Sequence, residues 1–366
     1  MQKANQIIVV KIGTAVLSKP TGKIDLAVLK ALSSQVAKLI KSGYKVIIVS
    51  SGAIGAGIEA TGLKQRPEKL QRLQATAAIG QSQLMKLYDD CMRKNNLRAA
   101  QILLTSDDFS DRTRYINAYN TMLELIYQFN AVPIINENDT VATEEIKFGD
   151  NDRLSALVAN LMSAGELIIL TNVDGLQSPA EGKVIPLVTH ITAKIQDMAT
   201  RKIGRFAAGG MRSKLRAIKM ATSSGISCVI ANGREKDVIL RIIKGEKVGT
   251  TFLPQREKHT AKKRWIAFSP APQGSVLVDK GAKKALVANG KSLLAAGIKE
   301  VRGDFEASDI IMIKDIQGQE FARGVTNFSS KQLNKIKGVK TAQLKAVLKQ
   351  EIIHDEVIHR DNLAIF

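Results

Sequence analysis

At 366 residues, 45% of them hydrophobic and 24% charged, the chain has room for two or three folded domains of about 150 residues, which excludes a disordered class. Its two cysteines, Cys91 and Cys228, exclude a disulfide framework and show no metal-ligand spacing, a usage that suits a reducing cytoplasm. The net charge of +20 is spread along the chain, with 34 basic against 22 acidic residues over 1–255 and 20 against 12 beyond. No block of five or six like charges occurs and aromatics make up 4%, so a surface that attracts anions is expected and a nucleic-acid groove is not.

Apolar strand-like runs alternate with helical repeats from the N-terminus. The run "IIVVKI" reads as a strand, and its Lys11 leaves an apolar stretch too short for a signal peptide or a membrane span. Asp25 is placed to cap a helix whose Leu26, Leu29, Leu32, Val36 and Leu39 or Ile40 share one face, ending near Gly43. Strand "KVIIVS" follows, then a helix over about 68–94, strand "AAQILLT", a helix near 112–129, strand "AVPIIN", a helix after "GDND", strand "ELIILT", a helix from Ser213 and strand "ISCVIA". Continuous apolar strands separated by helices predict an α/β fold, a mostly parallel sheet sandwiched between helices.

The texture changes at "LPQREKHTAKKR", which is polar and basic in the manner of a linker. Beyond it "GSVLVD", "DIIMIKD" and "EFARGVT" read as short strands, with "IQGQ" as a turn. The expected organisation is therefore a catalytic domain at 1–255, a linker at 256–273, a smaller β-rich domain at 274–350 and a tail at 351–366.

Several motifs are near misses. In "SSGAIGAG", Gly55, Gly57 and Ala60 formally match a dinucleotide fingerprint, but no strand ending in Asp or Glu follows at the needed distance. The stretch "NGKS" at 289–292 is not a Walker loop, because Ala285 stands where its first glycine is required. His354, Asp355, Glu356 and His359 lack H-E-x-x-H spacing, so no metal site is expected there.

Two lysines and one acidic run carry the chemistry. Lys11 interrupts an apolar strand, where an ammonium is costly unless it serves something. Lys214 follows "AAGGMRS" at a helix start, and the two could bracket a nucleotide's phosphates. In "GDNDRLSALVANL" two carboxylates and an amide precede an apolar helix, more than a cap needs, so the surplus can face a ligand.

In chain order, "VVKIGTAVL", "IIVSSGAIGAG", "PIINENDTVATEEIKFGDNDRLSAL", "LIILTNVDGL" and "GGMRSKLRAI" resemble the glutamate 5-kinase family of the amino acid kinase superfamily. The second domain resembles a PUA domain, and the resemblance covers residues 7–345. It implies ATP-dependent phosphorylation of the γ-carboxylate of L-glutamate, with Mg²⁺, as the first step of proline biosynthesis. By the same resemblance, Lys11 and Lys214 stabilise the transferring phosphoryl group and Asp152 holds the two lysines. Ser51, Asn136, Asp139 and Asn151 would bind glutamate. Thr171, Asn172, Ala208, Gly209, Gly210 and Met211 would line the ATP site with Lys11 and Lys214. The family further implies a homo-oligomer, hand-off of product to glutamate-5-semialdehyde dehydrogenase and feedback inhibition by proline.

The residues agree with those roles. A carboxylate nucleophile is already ionised at neutral pH, so no catalytic histidine is needed. Glutamate's ammonium wants an acidic partner, which Asp139 or Asp150 can supply, and this favours free glutamate over N-acetylglutamate. RNA is the rival partner, yet the second domain shows no obvious stacking platform beyond Trp265, Phe268, Phe305, Phe321 and Phe328. Three departures stand out: Asn172 where the family commonly has Asp, a short "LQSPAEGKVIPLV", and "AAGGM" for "GTGGM".

Overall fold

β-branched runs form the strands they predict. The computed structural model describes residues 6–19, 21–141, 151–179, 181–198, 208–255, 261–268, 272–348 and 354–365. They fall in two compact units, Met1–Lys258 and His259–Phe366.

In the first unit β1 (Ile7–Ile12) leads through the single turn α1 (Thr14–Leu17) and α2 (Leu26–Lys41) to β2 (Lys45–Ser50). Then come α3 (Ala53–Thr61), α4 (Leu70–Arg93), β3 (Arg98–Leu104), α5 (Arg112–Leu123), β4 (Ala131–Glu137), α6 (Asn151–Leu161) and β5 (Glu166–Thr171). The unit closes with β6 (Leu187–Val188), α7 (Ala193–Met198), α8 (Ala208–Ser223), β7 (Ser227–Asn232), α9 (Val238–Ile243) and β8 (Thr250–Phe252).

These eight strands make one sheet in the order β3-β4-β2-β1-β5-β7-β8-β6, parallel except where β8 meets β7. β1 sits inside it, with Ile12 opposite Ser50 on one side and Leu170 on the other. The carboxyl ends of β1, β2 and β5 are therefore level, and in such sheets the crevice outside those ends is where ligands bind.

The two faces of β1 are covered differently. Ile8, Val10 and Ile12 join a core with Leu29, Leu32 and Val36 of α2 and with Leu84 and Tyr88 of α4. Alternation puts Val9 and Lys11 on the opposite face, where α6 packs. Every residue of α6 except Arg153 is buried, and the helix lies between α8 and the sheet. Its polar first turn, Asn151 and Asp152, is thus carried into the interior.

Glycines of the "SSGAIGAG" run serve packing. Gly52 holds φ +113°, the left-handed turn from strand to helix that favours glycine. A methyl on Gly57 would overlap the Thr76 carbonyl, and one on Gly80 would overlap the Ala53 carbonyl and the Gly57 backbone. The small residues bring α3 and α4 into backbone contact.

Some boundaries differ from expectation. Leu26 is exposed, and Asp25 makes no side-chain cap bond; its carboxylate accepts from Arg234 Nη1 at 2.9 Å, a tertiary contact invisible to a local pattern. The helix near 112–129 ends as a wider turn, with Phe129 N–H donating to the Glu124 carbonyl at 3.1 Å. α8 begins at Ala208, five residues before Ser213.

The second unit contains α10 (Ala261–Phe268), β9 (Gly274–Val278), α11 (Lys280–Asn289), β10 (Ile298–Gly303), β11 (Ile310–Lys314), β12 (Glu320–Val325), α12 (Ser330–Ile336), α13 (Leu344–Leu348) and β13 (Leu363–Ile365). Its sheet runs β10-β9-β11-β12-β13, with only β9 and β11 parallel. Residues 261–268, expected within a linker, form α10, because Ile266 and Ala267 bury against Ala364. The expected tail contributes β13 to the same sheet. Phe305, Phe321 and Phe328 are core residues, so none of the three offers a face for base stacking. Among the described residues no helix is long and apolar enough to cross a membrane, and no group of three metal-ligating side chains converges.

Candidate active site

Three elements distant in sequence meet at the carboxyl end of β1. Lys11 projects from the strand's last residue but one and is only 4% exposed, so its ammonium needs a counter-charge. Asp152, 2% exposed at the start of α6, supplies it: its Oδ1 lies 2.8 Å from Lys11 Nζ. Lys214, one turn into α8, reaches the other oxygen, with Nζ donating to Asp152 Oδ2 at 3.1 Å and to the Gly210 carbonyl at 3.2 Å. Ser213 Oγ donates to the same Oδ2 at 2.6 Å.

Burial alone would push the Asp152 carboxyl upward, but the charges of the two ammoniums and hydrogen bonds from Lys11 and Ser213 override it and hold the group down at about 2. Burial pulls Lys214 below the ordinary lysine range, and Lys11 adds to that pull against the attraction of Asp152. Two cations share one anion here. The set carries a surplus positive charge in a dry setting, a place made for an incoming anion.

Beside it stands a neutral cluster. Asn151 Nδ2 lies 3.2 Å from the Ser50 carbonyl, 2.9 Å from Ser51 Oγ and 3.0 Å from Asn136 Oδ1. Asn136, near the end of β4, also accepts from the Glu137 N–H at 2.9 Å. Asn151 is 6% exposed, and its Oδ1 has no hydrogen-bond partner among the described residues. A buried acceptor in that state is satisfied by a donor from water or from a ligand.

Behind the cluster, Ser50 Oγ and Tyr88 OH are 2.8 Å apart, and Ser50 Oγ donates to the Ser51 carbonyl at 3.0 Å. The serine's one hydrogen is thereby used, so the tyrosine is the donor of the pair. Burial pushes the Tyr88 phenol well above its ordinary pKa and keeps it a donor.

Asp139 follows β4 and lines a cavity of about 230 Å³ together with Gln81, Gln101, Glu137 and Asn138. Burial pushes its carboxyl up to about 6, with Arg66 opposing. Thr171 ends β5 and is buried, whereas Asn172 is exposed. Asp174, two residues on, is the next carboxylate in that loop and accepts from Asn232 Nδ2 at 2.9 Å. Ala208, Gly209, Gly210 and Met211 form the first turn of α8, whose free N–H groups and dipole favour anions. Asp150 lies outside the described residues.

The structure thus joins Lys11, Asp152 and Lys214 in one contact set and Ser51, Asn136 and Asn151 in a second. Sequence reading missed Ser213, Tyr88 and Gln81. Only Ser213 carried a local signal, its place next to Lys214.

The amino acid kinase family model matches residues 6–232 and the PUA domain model matches residues 274–348. A glutamate 5-kinase from Caldanaerobacter subterraneus subsp. tengcongensis is 45% identical over 363 residues, covering 98% of this chain and 97% of the relative. Glutamate 5-kinases from Synechocystis and Synechococcus elongatus are each 44% identical, over 98% and 99% of this chain and 97% and 100% of theirs. Among solved structures, a carbamate kinase from Giardia lamblia bound to AMP-PNP aligns with 69% of this chain and 99% of its own, at 20% identity and a TM-score of 0.48.

Parallel sheet, level strand ends and matching family models define the class, an amino acid kinase that carries a PUA domain. Within that class, the chain belongs to the glutamate 5-kinase family.

Proposed function

We propose that this protein transfers the γ-phosphoryl group of ATP to the γ-carboxylate of L-glutamate, giving glutamyl 5-phosphate and ADP as the first step of proline biosynthesis. The observation that carries the reading is the Lys11–Asp152–Lys214 set, with its surplus positive charge beside the helix start of Ala208–Met211.

A glutamate carboxylate is the nucleophile as it arrives, since its pKa lies far below neutrality. One of its oxygens forms a bond to Pγ while the bond from Pγ to the bridging oxygen breaks, and ADP departs with that electron pair. Lys11 and Lys214 stabilise charge on the transferring group, and Asp152 keeps both ammoniums aimed and charged. Ser51, Asn136, Asn151 and Asp139 hold glutamate, with Asp139 answering its ammonium. Thr171, Asn172 and the first turn of α8 hold the nucleotide.

Both oxygens of Asp152 are occupied by lysines, and no acidic cage converges among the described residues. Mg²⁺ would enter on the phosphates of ATP, which is its usual habit, and would supply further charge neutralisation there. The first unit is assigned to catalysis and the PUA-like unit to regulation or assembly. A homo-oligomer, inhibition by proline and hand-off of the labile acyl phosphate to the next enzyme complete the reading.

The test is ADP release from ATP and Mg²⁺ with glutamate, aspartate or N-acetylglutamate as acceptor, with Lys214→Ala as the control for contaminating kinases. Glutamate-dependent turnover that disappears in the variant is expected. Turnover with no acceptor preference, or none in a folded protein, rejects the reading.

A further inference from the structure

Side-chain amides can face either way, and the direction of Asn151 decides what its site accepts. That direction follows from hydrogen-bond logic. The Glu137 N–H can only donate, so the atom it meets on Asn136 is Oδ1, at 2.9 Å. The Ser50 carbonyl and Asn136 Oδ1 can only accept, so the atom of Asn151 between them is Nδ2. Its Oδ1 is thereby left over, buried and without a partner among the described residues.

The remaining support comes from outside the strand ends. Asn136 Nδ2 points at Gln81 of α4, whose Oε1 accepts it at 2.9 Å in a buried contact. Gln81 is 8% exposed; the donor-only Asn136 Nδ2 sets its acceptor end, and its Nε2 lies 3.5 Å from Gln101 Oε1 on β3. Gln81 also lines the cavity that holds Asp139.

We propose that Gln81 is a positioning residue: through Asn136 it holds the Asn151 amide so that Oδ1 faces the substrate as an acceptor for its ammonium. The proposal rests on the kinase reading above and adds to it a residue that touches no reacting atom. An apolar side chain at 81 leaves Asn136 Nδ2 buried without an acceptor, and the amide turns to find one. That movement takes Asn136 Oδ1 off Asn151 and loosens the ammonium end of the site.

The experiment compares wild type with Gln81→Met, close in size, and Gln81→Glu, which keeps an acceptor at the same reach. The readouts are KM for glutamate and for ATP, kcat, and the inhibition constant of glutarate, which has both carboxylates and no ammonium. For Gln81→Met, KM for glutamate should rise about tenfold. Its kcat, its KM for ATP and the inhibition constant of glutarate should stay within about twofold, and Gln81→Glu should recover most of the loss. A general disturbance of the site would weaken glutarate as much as glutamate, and that result, or an unchanged KM for glutamate, overturns the assignment. Gln81→Ala replaces the Met variant if that one does not fold, and failure of both to fold makes the residue structural and equally overturns it. Wild type without glutamate-dependent ADP release rejects the kinase reading; wild type with it and variants that match it reject this inference alone.

Discussion

A single carboxylate illustrates how burial writes a pH dependence. Asp139 is pushed up to about 6, so below that pH it is protonated and offers no charge to an ammonium. On the proposed reading, glutamate binding needs the ionised form. kcat/KM for glutamate should therefore fall with unit slope as pH drops through about 6, while Asp139→Asn should be weak and nearly flat across the same range. A pH profile of the two proteins checks this, and an acid limb that survives the substitution would assign it to another group. Asp152 does not compete for that limb, because its pairing persists down to about 2. At this scale the lysine in an apolar strand and the acidic run were legible, since both break a local rule. Gln81 and Tyr88 were not, because an amphipathic helix hides a hydrogen-bonding side chain among core and surface positions alike.

Elements position those residues, and the α3–α4 contact is the tightest of the supports. Ser51 and Gly52 lead directly into α3, which touches α4 through Gly57 and Gly80. Gly80→Ala should force the helices apart, cost about 3 kcal/mol and raise KM for glutamate, because Ser51 moves with α3. Urea unfolding and kinetics on that variant check it; a loss below about 0.5 kcal/mol would show that the helices can slide to make room. The β-branched runs of the parallel sheet were readable from pattern alone. The roles of the glycines were not, for a glycine that admits a phosphate and one that admits a helix look alike in sequence. α10 and β13 were missed for a related reason: each is short, and its apolar side finds a partner only within the second unit.

The whole molecule comprises two units that each own a hydrophobic core, one built on β1 and its neighbours and one on Val276, Ile311, Phe321 and Leu333. All of the residues placed in catalysis or substrate binding lie in the first. A chain ending at Lys258 should fold and keep glutamate-dependent ADP release within about tenfold of the full protein, since removing a unit with its own core leaves the other core intact. Circular dichroism and the ADP assay check this, and an unfolded product would mean that the units share stability. The net charge of +20 was visible from composition, but composition could not say which part of it is used. Two of those charges are buried at one aspartate.

That aspartate also dates the birth of the site. Lys11 belongs to the first described strand, Asp152 to the middle of the unit and Lys214 to its last third, and none of the three is near another in sequence. Contacts of such long range slow folding, and the sheet shares their range, since β1 pairs with β5 through Val10 and Ile168. A nascent chain short of α8 carries Lys11 and Asp152 without Lys214, and on the proposed reading the phosphate site is complete only once α8 has been made.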